Sequence, residues 1–532
     1  MHRPALAVIG MLVTACPGDG TPAVEPLAAL PPPAPVMTDR FREAEACGQC
    51  HDVPDGTPVL HDAGGRNVSP VLLWRSSMMA LAARDPFYLA VFAEELDRAP
   101  QRRAEIDALC TRCHGPAGSE ELAIDGDHLG FDTLTAGTSD AAILGRGGVT
   151  CTLCHQIDPA NLGAERSFSG GFSIGYQRKI YGPYVDPRME PMQLIVDYTP
   201  TRGTHIMSAE LCATCHTVIV PGPHGEVVEQ ATYLEWRSSS FAPATPCQTC
   251  HVAAVDDEGR AISTPVASFP SDLRPRAPVG RHRFVGANAY MLSLMAAQTE
   301  WLGAGVPASE LLDAAAASER HLATAAALVI TRIAPDAFRV RVDNLTGHKL
   351  PTGYPSRRMW LHVSVELGGA RVFESGAVDT RGSIVDASGS VLAAQPHRDE
   401  ITSDAEVQIW EATLVDDGGE PTHRALDADH YRKDDRILPL GFAPSPLDRP
   451  RTEASGVIAD PTFVPGSDAV TFRVPALAPG ATISVELQYA SVSPEVLDAI
   501  AATTTAASLR FAEHTASRPP TPTTMARTSY AW

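Results

Sequence analysis

The sequence has few aromatic residues and few basic ones. Phe, Trp and Tyr make up 6% of the 532 residues, and 42 Lys and Arg stand against 63 Asp and Glu, for a net charge of −21. This excess of negative charge repels nucleic-acid phosphate, so we expect no nucleic-acid partner. With 44% hydrophobic residues, 45 Pro and 41 Gly, the composition also excludes collagen, coiled coil and wholesale disorder. The length exceeds that of a single core and predicts two or more domains.

Long hydrophobic runs are also lacking. The apolar run Ala5 to Val13 is well short of the roughly 20 residues that cross a bilayer. It follows His2 and Arg3 and precedes small residues, which is typical of a secretion signal over residues 1–15. We find no second apolar segment long enough to span a membrane.

The end of this signal predicts a membrane anchor. Val13-Thr14-Ala15-Cys16 resembles the bacterial lipobox, in which the cysteine is lipidated; the alternative is an ordinary cleaved signal with an incidental cysteine. Residues 16–40, rich in proline, are predicted to be an extended tether. We therefore expect an extracytoplasmic protein, either periplasmic or an outer-membrane or cell-surface lipoprotein.

The other ten cysteines form five copies of Cys-x-x-Cys-His, and no cysteine is left over. With 11 Cys and 18 His in 532 residues, chance would place about 0.01 copies. The copies, here motifs 1 to 5, are Cys47-Cys50-His51, Cys110-Cys113-His114, Cys151-Cys154-His155, Cys212-Cys215-His216 and Cys247-Cys250-His251.

Each motif fits covalent attachment of haem c. Two thiols form thioethers with the porphyrin, and the adjacent histidine binds the iron from the proximal side. Disulfides do not require a histidine after every second cysteine. A structural zinc ion is bound by two Cys-x-x-Cys units, so five units would leave one without a partner. A thioredoxin-type motif would occur once. The prediction is five covalently attached haems, whose faces supply much of the core between residues 47 and 251.

The sixth iron ligand decides between an electron carrier and an enzyme, because a five-coordinate haem can bind a small molecule. Three histidines have local contexts that favour a distal ligand. His205 lies seven residues before Cys212, His282 precedes an apolar helix, and His348 sits in a loop punctuated by Gly and Pro.

A methionine is the fourth distal candidate. Met79, in Leu73-Trp74-Arg-Ser-Ser-Met-Met79, occupies the place of a ligating histidine in a similar stretch of multihaem cytochromes; alternatively, it only fills space against a porphyrin. For the fifth distal position the sequence offers four candidates without a supporting context, which are His61, His128, His224 and Met192. The alternative is that one haem has no sixth ligand and is open to a small molecule.

Several stretches resemble extracytoplasmic multihaem cytochromes of the cytochrome c-552/4 type. The matching segments are Gly148 to Ile157, Tyr181 to Tyr184, Leu211 to Thr217, Pro246 to His251 and Gly347 to Gly353. The resemblance implies electron transfer in the cell envelope. Met79 departs from the pattern, and the absence of Cys-x-x-Cys-Lys counts against the chemistry of pentahaem nitrite reductases.

The fold class predicted is α+β and multidomain. A mainly helical or irregular cytochrome region over 41–280 is followed by connecting helices over 281–332, an antiparallel β-sandwich over 333–515 and a tail over 516–532. The predicted strands are short, alternating runs such as 337–342, 360–366, 407–413, 469–474 and 482–488. The connecting region reads as two amphipathic helices within 283–328.

The sequence thus predicts a pentahaem electron carrier that meets a redox partner with a basic docking face. One alternative is a haem oxidoreductase with one open haem that acts on a small nitrogen or sulfur species. Another is an adhesion or carbohydrate-binding protein whose β domain binds ligand. We prefer a β domain that covers haem edges and supplies His348, since no catalytic triad, phosphate loop or paired-carboxylate site is apparent.

Overall fold

The structure is a computed structural model that describes residues 24–392, 394–457 and 459–532. The predicted signal, Cys16 and the start of the predicted tether lie outside these residues. Among the helices of the described ranges, none combines the length and the apolar character needed to cross a membrane.

Short helices dominate the first 325 residues. They are short because glycine, proline and the attachment motifs interrupt the chain. Nine of the α-helices described in this region have proline or glycine at their first residue or just outside an end. The helices are α1 (Ala44–His51), α2 (Pro70–Arg75), α3 (Pro86–Arg98), α4 (Arg103–His114), α5 (Pro116–Ala123), α6 (Phe131–Ala136), α7 (Asp140–Arg146), α8 (Cys151–Cys154), α9 (Glu190–Ile195), α10 (Ala209–His216), α11 (Thr232–Arg237), α12 (Cys247–His251), α13 (Ala289–Ala296), α14 (Thr299–Leu302), α15 (Ala308–Leu322), α16 (Arg449–Thr452), α17 (Pro494–Ala501) and α18 (Ala506–Ser517). Single 3₁₀ turns lie at Pro100–Arg102, Glu165–Ser167 and Thr204–Met207.

Strands dominate the remainder of the chain. The strands are β1 (Lys179–Gly182), β2 (Thr199–Arg202), β3 (Val218–Gly222), β4 (Gly225–Gln230), β5 (Ala326–Ala334), β6 (Ala337–Asn344), β7 (Arg358–Leu367), β8 (Ala370–Ser375), β9 (Ala377–Val378), β10 (Ile384–Val385), β11 (Glu400–Ile401), β12 (Ile409–Val415), β13 (Pro421–Thr422), β14 (His430–Asp434), β15 (Ser467–Arg473), β16 (Thr482–Ala490) and β17 (Thr523–Ala531). Together with the helices they confirm the predicted α+β class.

Two sheets of the C-terminal half pack face to face. A four-stranded sheet has the order β11-β15-β6-β5, and a larger sheet has the order β13-β12-β7-β16-β17, with β8 beside β7 and β14 beside β12. All of these pairings are antiparallel except β11 with β15. In β6 alternate residues Phe338, Val340 and Val342 are buried, and they share one core with Val363 and Val485 of the larger sheet. Apolar residues at every second position are typical of a strand with one buried face, and this alternation is why the sequence alone predicts the β-sandwich.

The ends of the predicted sandwich need correction. The last residues, predicted to be a tail, form β17, which pairs along its length with β16 and buries Met525. The predicted second connecting helix ends at Leu322 rather than near residue 328, because β5 begins at Ala326 and pairs with β6. The connecting region holds three helices, α13 to α15, rather than two.

The predicted tether is also different from the expectation. From Leu27 onward it lies against the body of the protein: Leu27 and Leu30 donate backbone hydrogen bonds of 2.7 and 2.9 Å to the carbonyls of Ala506 and Trp301. Leu30 and Val36 are buried. Prolines keep this segment extended, so its carbonyls and apolar side chains reach a groove formed by distant parts of the chain.

The helical and β halves share apolar cores. Helix α18 packs on α3, and Phe511 of α18 belongs to one core with Leu81 and Met291. Another core joins Phe92 of α3 to Leu414 of β12. The β half is therefore fastened to the helical half by buried side chains.

Candidate functional site

All fifteen residues of the five motifs line one continuous cavity of about 1040 Å³. This volume lies at the upper end of the range of small-molecule sites, about 300–1,000 Å³. The rest of the wall is largely apolar and includes Trp74, Phe87, Trp236 and Phe284. The cavity suits large, flat, apolar groups held by the cysteines.

Short helices present the motifs to this cavity. Motifs 1, 2, 4 and 5 form the final residues of α1, α4, α10 and α12, while motif 3 forms α8 with His155 directly after it. Cysteines three positions apart on a helix share one face, so both thiols of a motif point to the same side.

The motifs are also close to one another. Thiols from different motifs lie beside one another and perturb each other's pKa in three pairs, which are Cys47 with Cys151, Cys113 with Cys215, and Cys212 with Cys247. Motif 4 therefore contacts both motif 2 and motif 5, and motif 1 contacts motif 3.

Backbone carbonyls orient four of the five motif histidines. A carbonyl only accepts, so each of these Nδ1 atoms carries the proton and leaves the Nε2 lone pair available to a metal. The bonds are from His51 to Val266 (2.8 Å), His114 to Ala82 (2.9 Å), His155 to Tyr181 (2.7 Å) and His251 to Val285 (2.7 Å).

His155 faces one of the predicted distal ligands. Its ring centroid is 6.3 Å from that of His282, and the two ring planes differ by 23°. Metal–imidazole bonds of about 2.0–2.1 Å and about 1.1 Å from Nε2 to the ring centre put two trans imidazoles about 6.3 Å apart. His282 also donates through Nδ1, to the carbonyl of Gly280 at 2.9 Å. Both Nδ1 atoms are hydrogen-bonded to carbonyls, which leaves both Nε2 atoms free, and the ring separation is the one that a shared iron would require.

His251 has the same relation to His348. The centroids are 6.4 Å apart with an interplanar angle of 21°, and Nδ1 of His348 lies 2.8 Å from the carbonyl oxygen of Lys349. Burial lowers the pKa of His348 to about 4, as it does for His282. Both imidazoles are therefore neutral at pH 7, which is the form that binds metal.

A buried ion cluster holds the loop that carries His348. Glu235 of α11 accepts hydrogen bonds at Oε2 from the backbone N–H of Lys349 (3.1 Å) and the hydroxyl of Thr352 (2.6 Å). Nζ of Lys349 lies 2.6 Å from Asp434, and Arg436 contacts both Asp434 and Glu235. Two buried cations thus balance two buried carboxylates at the junction of the two halves, which stabilises the position of His348.

The remaining distal candidates divide by position. Met79 and Met192 line the cavity. His205 does not: its Nε2 lies 3.0 Å from the Ile157 carbonyl and its ring packs edge-on against Tyr181. Three further histidines stand apart from the cavity wall, with His61 and His128 near carboxylates and His224 exposed in the β3–β4 turn. The ligand role of Met79 and of His205 stays a prediction.

Sequence reasoning did not single out His321. This residue lines the cavity, and its ring lies 5.2 Å from that of His251 at an angle of 63°. The signal was available in the spacing, because Ala314, Ala317, Ser318 and His321 form an i, i+3, i+4, i+7 stripe of α15 that faces the cavity. Tyr88 was missed as well; its ring stacks on His114 at 3.7 Å with planes 1° apart.

Two charged groups stand out in the cavity wall. Burial, and secondarily the carboxylate of Glu95, raises the pKa of Glu229 to about 7; this side chain lies near the thiols of motif 2. Arg357 lies near His216, and it pairs with no carboxylate among the described residues. Its Nη1 donates to the carbonyl of Thr352 at 2.6 Å.

Comparison with solved structures gives one similar fold. The crystal structure of a penta-haem cytochrome c552 from Thermochromatium tepidum matches with a TM-score of 0.52 and 17% identity, over 94% of this chain and 100% of that chain. At this identity the likeness concerns the fold alone. No protein-family model and no curated protein matches the sequence.

Proposed function

We propose that the protein is a multihaem c-type cytochrome that transfers electrons between redox partners in the bacterial cell envelope. The observation that carries this proposal is two pairs of neighbouring histidines, His155 with His282 and His251 with His348, whose ring separations of 6.3 and 6.4 Å are those that a shared iron would require. Five thiol pairs in the same cavity would hold five haems. When bound, haem supplies one-electron redox chemistry, and an iron with two imidazole ligands has no open position for a substrate.

The protein's own residues would tune and shelter these haems. Backbone carbonyls fix the imidazole rings, so each iron keeps its ligands with little reorganisation. Apolar side chains such as Trp74 and Phe284 exclude water from the porphyrin faces. The net charge of −21 favours a basic partner and an encounter that salt weakens. An N-terminal lipid on Cys16 would keep the protein at a membrane.

Removing each distal histidine tests the ligand assignment. In protein produced with haem maturation, His282→Ala and His348→Ala should each convert one low-spin haem to a high-spin haem in the EPR spectrum. The matched control is His430→Ala, whose side chain is 62% exposed and pairs with Asp429; its spectrum should equal that of the wild type. An unchanged low-spin signal in both cavity variants would contradict the proposed ligation.

Electron exchange tests the proposed role. The reduced protein should pass electrons to a basic c-type cytochrome, with a rate that falls as ionic strength rises. A rate that does not depend on salt would contradict docking by the acidic surface.

A second candidate function is an oxidoreductase with one open haem that acts on a small nitrogen or sulfur species. It is favoured by Arg357, a cation in the cavity wall near His216 that pairs with no carboxylate in the described ranges. A guanidinium beside an open iron position would bind a small anion such as nitrite. Cyanide and nitrite titrations of the oxidised protein distinguish the candidates. A high-spin haem whose nitrite affinity drops in Arg357→Gln supports the enzyme, and the absence of any ligand-binding haem excludes it.

A further inference from the structure

A second buried cluster of ionisable groups lies in the β half, outside the cavity of the motifs. His397 has a carboxylate at each ring nitrogen: Asp435 at 3.0 Å from Nδ1 and Asp460 at 3.1 Å from Nε2. Asp468 of β15 lies 3.9 Å from the same Nε2. The side chains of these four residues are at most 4% exposed.

The charges of this cluster do not balance. Among the described residues, the cationic partner of Asp460 and Asp468 is His397. Nζ of Lys433 lies 3.4 Å from Asp435 and 3.3 Å from Glu411, so these two carboxylates share one lysine. Four carboxylates thus face one lysine and one histidine, which leaves at least two negative charges without compensation. Buried charges are costly unless they are paired. The cluster of Glu235, Asp434, Lys349 and Arg436, in which Asp434 and Arg436 flank Asp435 in the sequence, is balanced, so this surplus is specific to the His397 cluster.

The side-chain nitrogen and oxygen atoms of this cluster are close enough together to bind one metal ion. A ring nitrogen of His397 and one carboxylate oxygen each of Asp460 and Asp468 lie within 4.8 Å of one another. Asp435 lies 3.0 Å from Nδ1 of His397 and accepts a hydrogen bond from Nε2 of Gln408 at 3.0 Å. It thereby holds the ring with Nε2 toward the other two carboxylates, as in the carboxylate–histidine–metal arrangement. Trp410 donates to Asp468 at 2.8 Å and Thr462 to Asp460 at 2.8 Å, which orients both carboxylates.

We propose that His397, Asp460 and Asp468 bind one divalent metal ion, with Asp435 as the positioning residue for His397. The imidazole nitrogen and the small number of ligands favour an ion of the Zn²⁺ type over Ca²⁺, which takes six to eight oxygen ligands. Binding through Nε2 needs the neutral imidazole, so the four carboxylates and Lys433 then carry three surplus negative charges, of which a divalent ion compensates two. The ion would also join β15 to two segments outside the regular strands, those that carry His397 and Asp460.

The test measures zinc in haem-loaded, tag-free protein, so that unoccupied motifs cannot bind the metal. After treatment with a chelator, the protein is equilibrated with Zn²⁺ and passed through a desalting column, and zinc and iron are measured by mass spectrometry. We expect one zinc per chain in the wild type and in the exposed control His430→Ala. His397→Ala and Asp460→Asn should retain none, and Asp435→Asn should bind 10- to 100-fold more weakly.

The wild-type measurement decides the proposal even if a cluster variant fails to fold. Less than 0.1 zinc per chain in the wild type at about 10 μM free Zn²⁺, a concentration that fills structural zinc sites, would overturn it. Unchanged zinc affinity in folded His397→Ala would overturn it as well.

Discussion

The carboxylate of Glu235 offers a quantitative test of how the two halves cooperate at one haem. Its Oε2 holds the loop of His348 through two hydrogen bonds, from Lys349 N (3.1 Å) and Thr352 Oγ1 (2.6 Å). Hydrogen bonds to a charged group contribute about 1.5–3 kcal/mol, and neutral ones about 0.5–1.5 kcal/mol. In Glu235→Gln the amide oxygen can still accept but carries no charge, so the loop should lose about 2–3 kcal/mol. At a factor of ten per 1.4 kcal/mol, detachment of His348 from iron becomes about 30- to 140-fold more frequent.

Cyanide binding measures this detachment, because cyanide reaches the iron only when His348 is off. The apparent affinity of such a ligand scales with the open fraction. We therefore expect cyanide to bind the His251 haem about 30- to 140-fold more tightly in Glu235→Gln than in the wild type. The absorbance change of His348→Ala identifies the signal of that haem.

The matched control is Glu226→Gln, whose side chain is 65% exposed and pairs with Arg451. It should bind cyanide as the wild type does. Equal cyanide affinities in Glu235→Gln and Glu226→Gln would refute the account of how the loop is held.

Three further predictions concern other parts of the cavity. Met79→Ala should create a new high-spin haem in the EPR spectrum, whereas Met78→Ala should not; an unchanged spectrum in Met79→Ala removes it as a ligand. Ionisation of Glu229, with its pKa raised to about 7, adds a negative charge near motif 2 and stabilises ferric iron. The potential of that haem should therefore fall as pH rises from 6 to 8, by on the order of tens of millivolts, and a slope retained in Glu229→Gln would contradict this assignment. Tyr88→Ala should remove the ring stacked on His114 and broaden the low-temperature EPR signal of that haem, while equal line widths would show that the stack does not orient the imidazole.

Much of the site could be predicted because its chemistry is local. Two thiols and a histidine within five residues are enough to specify an attachment point, and all five motifs line the same cavity. His282 and His348 were singled out from the chain around them, and both line the cavity. Their partners could not be found this way, because His282 faces His155 and His348 faces His251 across long stretches of sequence.

The errors have a common physical cause, which is packing between distant segments. Leu30 is buried because it shares one apolar core with Trp301 and Ala507, which are distant in sequence. The local sequence does not reveal this core, so the proline-rich segment was predicted to be a free tether. Likewise β17 alternates weakly in hydrophobicity and is stabilised by its long pairing with β16. The strands β6, β7 and β16 were recognised because each buries alternate apolar residues in a common core.

The central claim is that the five motifs hold covalent haem, and a haem count tests it most directly. The pyridine haemochrome spectrum of the purified protein, together with its iron content, should give five haems c per chain that remain with the polypeptide after denaturation. Values near zero, with zinc bound to the cysteines or with disulfides between them, would contradict the account.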